Sequence, residues 1–430
     1  MIQTLKNAWK IPELKKKLLF TLLIVLLYRL GASIPVPYID AAAMDGVAAL
    51  STGFLQYLNI MSGSAFAQAT LFALSVSPYI TASIVIQLLT IAIPALERWS
   101  KDGEEGRKKI SALTRFVTVA LALVTSYGYM NIISSPSVGI LKAEGFFEKA
   151  VVVACYCAGA SLIMWLAEKI NEHGIGNGIS IILFANILSG GWNVVLGVWS
   201  MITSPNYHLV VGIILGIVSV AITLAFVVLV VLVTNSERRI PIQYAKRVVG
   251  RKMYGGQNTN LPIKINMSGV MPIIFASSIV SIPATIQAFF PEAKWLQWIN
   301  NYFSYDSWIY LVINLLLIVA FSYFYIMISF NPVEVANNIK NNGGAIPGVR
   351  TGKPTVDFIN KILSRITFIG AIFLCIVAGF PMLINILFGG SFTGLAFGGN
   401  SLLIVVGVAL ETVRELEAQI TMRNYKGFLD

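Results

Sequence analysis

Ten long apolar runs, separated by shorter polar stretches, divide the chain. A helix crossing the hydrocarbon core of a bilayer needs about 20 mostly apolar residues. Runs of that kind lie near 18–37, 70–94, 116–134, 150–167 and 179–202, then near 209–234, 269–290, 308–330, 366–388 and 398–413. This spacing predicts ten transmembrane helices. Residues 1–17 are basic, and the run after them ends without a small-residue cleavage site, so it reads as a first membrane helix and not a removed signal.

Charge gives these spans a direction. Of 31 Lys and Arg residues, 27 fall in 1–17, 95–115, 168–178, 235–268, 331–365 and 414–430, which alternate crossings place on one side. The opposite loops hold only Lys142, Lys149 and Lys294, while Arg29 lies within the first span. Cytoplasmic loops carry the excess of Lys and Arg, so both termini are expected in the cytoplasm. Composition agrees: 56% of residues are hydrophobic and 12% charged, against about a quarter charged in a soluble domain. The net charge of +11 then reads chiefly as a topogenic signal that also attracts anionic lipid, and nucleic-acid binding is not expected as the main function. The two largest basic loops, 235–268 and 331–365, exceed what orientation needs and could dock an acidic or RNA-bearing partner.

One outer segment, 54–65 (FLQYLNIMSGSA), is apolar but too short to cross. Its Ser62, Gly63 and Ser64 interrupt a helix. Two readings fit it: a surface loop helix, or a re-entrant element, which at membrane depth is tolerated only inside a protein cavity.

Catalytic chemistry is not legible. The stretch 347–354 (PGVRTGKP) approaches a phosphate-binding loop but lacks its first glycine, and Pro follows its Lys. His173 and His208 fall on opposite faces, and Cys155, Cys157 and Cys375 sit inside apolar runs as packing residues. No catalytic residue, metal site or cofactor is nominated, and an enzyme is not expected. The rival reading is an inverted-repeat secondary transporter of a small solute, since five helices per half makes the halves antiparallel. Such transporters usually carry intramembrane ionisable residues, yet no acidic residue falls at mid-depth here. Arg29 is expected to pair with backbone or with an acidic residue near the outer face.

Several stretches carry sequence that hydropathy does not demand. They are SPYITASIVIQLL at 77–89, GEEGRKKI at 103–110, GIGNGISI at 174–181, PIQYAKR at 241–247, GVMPIIFASS at 269–278, NPVEVANN at 331–338 with IPGVR at 346–350, and SLLIVV at 401–406. In this order and spacing the chain resembles the SecY/Sec61α family of protein-conducting channels over nearly its whole length. Thr351 departs from the family pattern, in which Pro follows the loop arginine.

The resemblance implies an all-α integral membrane protein with ten transmembrane helices, arranged as two inverted five-helix halves in a clamshell around a central pore. The halves would be 1–205 and 206–430, hinged near Ser204, Pro205 and Asn206. Carried over residue by residue, an aliphatic pore ring falls on Val76, Ile80, Leu183, Ile187, Ile274 and Ile404. A plug, about 54–65, would include Leu55, Leu58, Met61, Ser62, Gly63 and Ser64. A lateral gate would pair Thr81, Ser83 and Gln87 with Ser277, Ser278 and Ile282, its helices kinked at Pro78, Pro272 and Pro283. Motor or ribosome docking would fall on Arg350, with Arg247, Arg251 and Lys252 in support. Implied partners are SecE-type and SecG-type small subunits, a SecA ATPase, the ribosome, and unfolded preproteins with their signal sequences, at a bacterial plasma membrane. The ring makes physical sense, because a narrow aliphatic constriction excludes water and ions by dewetting. Both pairs spaced i,i+4 also point the same way from one helix.

Overall fold

A computed structural model describes residues 2–39, 59, 62–134, 140–142, 145–203, 209–244, 247–249, 252–254, 258–280, 282–283, 286, 307–388 and 399–426. Leu55, Leu58, Met61, Arg251 and the expected hinge at 204–206 lie outside them. The elements are α1 (Ile2–Lys10), α2 (Pro12–Gly31), α3 (Ser77–Ala92), α4 (Pro94–Lys101), α5 (Gly103–Ile133), α6 (Phe146–His173), α7 (Gly178–Thr203) and α8 (Leu209–Asn235). Four strands follow: β1 (Glu237–Tyr244), β2 (Arg247–Val249), β3 (Lys252–Tyr254) and β4 (Asn258–Lys264). Then come α9 (Met271–Val280), α10 (Trp308–Ser329), α11 (Pro332–Asn341), β5 (Gly344–Ala345), α12 (Lys353–Phe388) and α13 (Gly399–Lys426).

Each of the ten apolar runs contains a helix among the described residues. Among the described residues, five helices are long and apolar enough to cross a membrane, and the bent pair α3–α4 passes the same length and composition test when its two helices are taken together. The other four runs fall on α2, α7, α9 and α13, which carry charges or are short within the described residues. Outward faces are greasy: Leu22, Phe116, Leu232 and Met327 are 62% to 78% exposed. Lipid tolerates such a surface and water does not.

The helices pack as a circuit. On one side α3 packs on α5, α5 on α6, α6 on α7, and α2 lies against both α6 and α7. On the other side α9 packs on α10, α10 on α12, α12 on α13, and α13 on α8. Helix α7 meets both α8 and α13, which closes one edge of the molecule. At the other edge, α3 and α9 are not extensively packed on each other among the described residues.

Proline placement corrects one expectation. Pro78 lies in the first turn of α3 and Pro272 in the first turn of α9, so both begin helices instead of kinking them. The missing N–H costs nothing there, because first-turn N–H groups have no intrahelical acceptor. Pro283 lies beyond the end of α9. The sharp bend is instead 102° between α3 and α4, where Pro94 opens the second helix. The only proline inside a helix, among those described, is Pro381 of α12.

The second span also starts later than the apolar run suggests. Residues 63–76 form turns, with positive φ at Gly63, Ser64, Ala69 and Ser75. Buried non-helical backbone must find hydrogen-bond partners elsewhere. Here the Tyr129 hydroxyl donates to the carbonyl of Phe66, the Tyr156 hydroxyl to that of Ala69 at 3.2 Å, and Leu71 N–H to that of Ile34 at 2.9 Å. Close approach also matters: a Cβ on Gly159 of α6 would collide with the carbonyl oxygen of Leu71.

The two large basic loops are not independent. β1 pairs antiparallel with β4 from Glu237↔Lys264 to Gln243↔Asn258, and its far end pairs with β5 of the second loop at Gln243↔Ala345 and Tyr244↔Gly344. Alternation along β1 buries Ile240 and Ile242, the period-two pattern of a half-buried strand. They join Ile263, Ala336, Ile339, Ile346, Ile359 and Leu363 in a separate apolar core. Hydropathy gave no sign of these strands because they are short and lie in a polar stretch.

Candidate functional site

Five ring candidates meet in one buried cluster. Val76, Leu183, Ile187 and Ile404 are each no more than 3% exposed, and Ile80 packs against them. Val76 caps α3 from outside the helix, yet its carbonyl accepts from Ile80 N–H at 3.0 Å, so the i,i+4 pair shares one face. Leu183 and Ile187 lie one turn apart on α7, and Ile404 projects from α13. The sixth candidate, Ile274 of α9, is 8% exposed and lines a cavity together with Leu183 and Ile404.

That cavity, about 490 Å³, has one apolar end and one charged end. Leu183, Val270, Ile274, Ile404 and Val408 make the apolar end, while Lys264, Glu411, Arg414 and Glu415 line the other. Arg414 is braced by the C-terminus of α8, its Nη2 donating to the carbonyl of Thr234 at 3.1 Å and to Asn235 Oδ1 at 2.7 Å. A cation at a helix C-terminus is favoured by the helix dipole. Partial burial and the nearby Arg414 hold the Lys264 ammonium below the usual lysine range, with Glu411 and Glu237 opposing.

Segment 62–76 packs against the ring candidates. Ser62 and Ala65 are buried, as are Phe66, Phe72 and Ala73, so the described part of this stretch is not a surface loop helix. Ser62 Oγ accepts from Phe66 N–H at 2.9 Å, and Asn59 Oδ1 accepts from Ala67 N–H at 3.0 Å. Gly63 and Ser64 take the left-handed turn at partly buried positions. Ala65, Phe72 and Val76 all belong to the ring cluster.

Two neighbouring residues of α2 grip α7 beside the ring. Asn186 Nδ2 donates to the Tyr28 hydroxyl at 2.9 Å and to Ser75 Oγ at 3.2 Å. Arg29 Nη2 donates to the carbonyl of Ala185 at 2.6 Å and to that of Asn186 at 3.3 Å. Of the two partners expected for Arg29, backbone is the one found among the described residues. Tyr28, Ser75 and Asn186 were not legible as a group, because three separate runs supply them.

The gate candidates lie on or just beyond α3 and α9, the two helices that are not extensively packed on each other among the described residues. Thr81 Oγ1 donates to the Ser77 carbonyl at 3.1 Å, Ser277 Oγ to that of Ile273 at 2.9 Å, and Ser278 Oγ to that of Ile274 at 2.8 Å. These hydroxyls thus bond back into their own helices. Ser83 and Gln87 are partly buried on α3, and Ile282 is half exposed beyond α9. Of the docking candidates, Arg350 is exposed just after β5, while Arg247 and Lys252 lie in the β2–β3 hairpin.

Comparison with known proteins now gives this arrangement a class. Two solved structures share the fold, each covering 96% of both chains: "The structure of a protein conducting channel" (TM-score 0.62, 19% identity), and one described as a SecY plug domain that stabilises the closed state and maintains a membrane seal (TM-score 0.62, 18% identity). A Sec61 channel from a canine ribosome–channel complex aligns at TM-score 0.59 and 17% identity over 96% of each chain. The chain thus has the fold of the protein-conducting channels. Residues 70–413 match the SecY family. Protein translocase subunit SecY of Streptomyces galbus is 42% identical and that of Bacillus subtilis 40% identical, each over the full length of both chains. The chain belongs to the SecY family.

Proposed function

We propose that this chain is the pore-forming subunit of a Sec translocon. It passes unfolded secretory polypeptides across the plasma membrane and releases hydrophobic segments sideways into lipid. The observation that carries this reading is one cavity lined both by the charged side chains Lys264, Glu411, Arg414 and Glu415 and by the ring candidates Leu183, Ile274 and Ile404. An aliphatic constriction makes no specific hydrogen bonds, so it accepts many side chains while resisting water and ions when closed. Full-length identity to named translocase subunits supports the same reading, and none of the relatives described favours a small-solute transporter.

In this reading, Val76, Ile80, Leu183, Ile187, Ile274 and Ile404 form the pore ring, and the plug reaches through Ser62, Gly63 and Ser64. The halves 1–205 and 206–430 part between α3 and α9, the edge that lacks extensive packing. A segment in the opened seam partitions by its own hydrophobicity, Leu or Ile toward lipid and Lys or Asp away from it. Both termini face the cytoplasm. Force comes from a bound SecA-type ATPase or a translating ribosome, with SecE-type and SecG-type subunits alongside. The two basic loops, joined by β1–β5 pairing, present Arg350 from a folded platform. Its guanidinium can engage carboxylate or phosphate bidentately.

The deciding experiment is site-specific photocrosslinking from Ile274 and Ile404 to a secretory chain stalled in mid-export. Crosslinks at both, with none from lipid-facing Phe116, are expected. Their absence while export proceeds would return the transporter reading to first place.

A further inference from the structure

Arg29 is the one cation placed within the predicted first span, and a charge at that depth is costly unless the protein uses it. Its Nη2 is committed to the α7 carbonyls of Ala185 and Asn186. These carbonyls sit in the turn that carries Leu183 and Ile187 into the ring cluster. The same guanidinium abuts Gly63: a Cβ there would lie 2.9 Å from Nη2, 3.0 Å from Nη1 and 2.9 Å from Ser189 Oγ. Gly63 also holds φ at +65°, a conformation that side chains disfavour. Ser189 Oγ in turn donates to the Asn186 carbonyl at 2.8 Å. Next door on α2, Tyr28 shares Asn186 with Ser75 at the far end of the turn segment.

We infer that Arg29 is a positioning residue for the resting channel, a latch that seats the segment at Gly63 against the turn of α7 bearing Leu183 and Ile187. The inference rests on the plug reading given above and extends it to a residue of the first helix. In this role Arg29 is not itself a member of the ring. It acts by fixing two parts of the seal to each other. The guanidinium suits this role, since its Nη2 donates to the carbonyls while both terminal nitrogens lie close against a backbone that carries no side chain. Opening then requires the segment to leave the guanidinium, while the carbonyl bonds keep α7 in place.

The test compares ion conductance and export of preproteins with defective signal sequences across Arg29→Met, Arg29→Lys, Gly63→Ala and the double variant Arg29→Met with Gly63→Ala, in the assembled translocon. Deletion of 62–68 serves as the reference for a lost plug. Arg29→Met and Gly63→Ala are each expected to raise resting conductance several-fold and to admit the defective signals. The double variant should leak no more than the worse single one, and Arg29→Lys should recover part of the seal, because an ammonium still reaches the Ala185 carbonyl. If Arg29→Met fails to accumulate in the membrane, Gly63→Ala alone decides. A tight, selective channel in the single variants beside a leaky deletion overturns the latch and leaves the plug reading standing. A tight channel in the deletion as well overturns both. Lowered thermal stability with an unchanged seal assigns Arg29 a purely structural role and overturns the latch.

Discussion

Asn186 of α7 donates from Nδ2 to the hydroxyl of Tyr28 of α2 at 2.9 Å, and both side chains are fully buried. Hydrogen bonds between membrane helices are worth about 0.6 kcal/mol on average and up to about 1.7. Tyr28→Phe is therefore expected to lower stability by about 1 kcal/mol while leaving the shape of the site unchanged. Thermal unfolding of the detergent-solubilised complex measures it, and an unchanged Tm would mean the bond contributes nothing net.

Gly159 permits a backbone contact that no other residue allows. Its Cβ position is occupied by the Leu71 carbonyl oxygen, and backbone cannot move aside as a flexible side chain can. Gly159→Ala should cost about 1–3 kcal/mol, the usual penalty of overpacking, and should push the turn segment away from α6. Faster proteolysis within that segment is the expected readout, with wild-type kinetics counting against the close contact.

Ring polarity is testable at Ile404, which is 3% exposed, and at Ile274. In the proposed ring, replacing either by Asn puts a hydrogen-bonding amide where dewetting would maintain the seal. Both variants should conduct more ions at rest and export preproteins with weakened signal sequences. Unaltered conductance and selectivity would remove these residues from the constriction.

Arg350 stands exposed beside the strand that ties the two basic loops together. Reversal of its charge, Arg350→Glu, should abolish export and motor binding while the protein still inserts and folds. Co-purification of the motor checks the cause. Normal export by this variant would sink the docking assignment.

Lys264 at the charged end of the cavity gives a pH dependence with a defined sign. Burial, then Arg414, lowers its folded value beneath the ordinary lysine value. Between those two values the unfolded chain binds more protons than the folded one, so stability rises with pH across that window and levels off above it. Below the depressed value both states are protonated and the penalty is complete. Lys264→Gln should flatten this alkaline rise, as followed by Tm against pH. An identical profile in the variant would assign the rise to other groups.

The membrane character of the chain and the positions of its helices could be read from sequence, because each leaves a local trace, whereas the ring candidates came only from the family resemblance. A span must be apolar along its length, whatever its neighbours are, and each of the ten expected runs contains a helix among the described residues. Even so, Thr70–Val76 was expected within a helix and forms turns instead, because the tyrosines that satisfy its carbonyls come from α5 and α6. Pro78 and Pro272 could not be told from kinks without knowing where each helix starts. The sheet that joins Gln243 to Ala345 spans about a hundred residues of chain, and short strands in polar loops leave little periodicity. Arg29 was conspicuous as a charge in an apolar run, but its acceptors lie on α7, roughly 156 positions away. Local chemistry thus determined what each segment must be. Which carbonyl, glycine or aliphatic group it meets depends on long-range packing, and only the tertiary structure decided that.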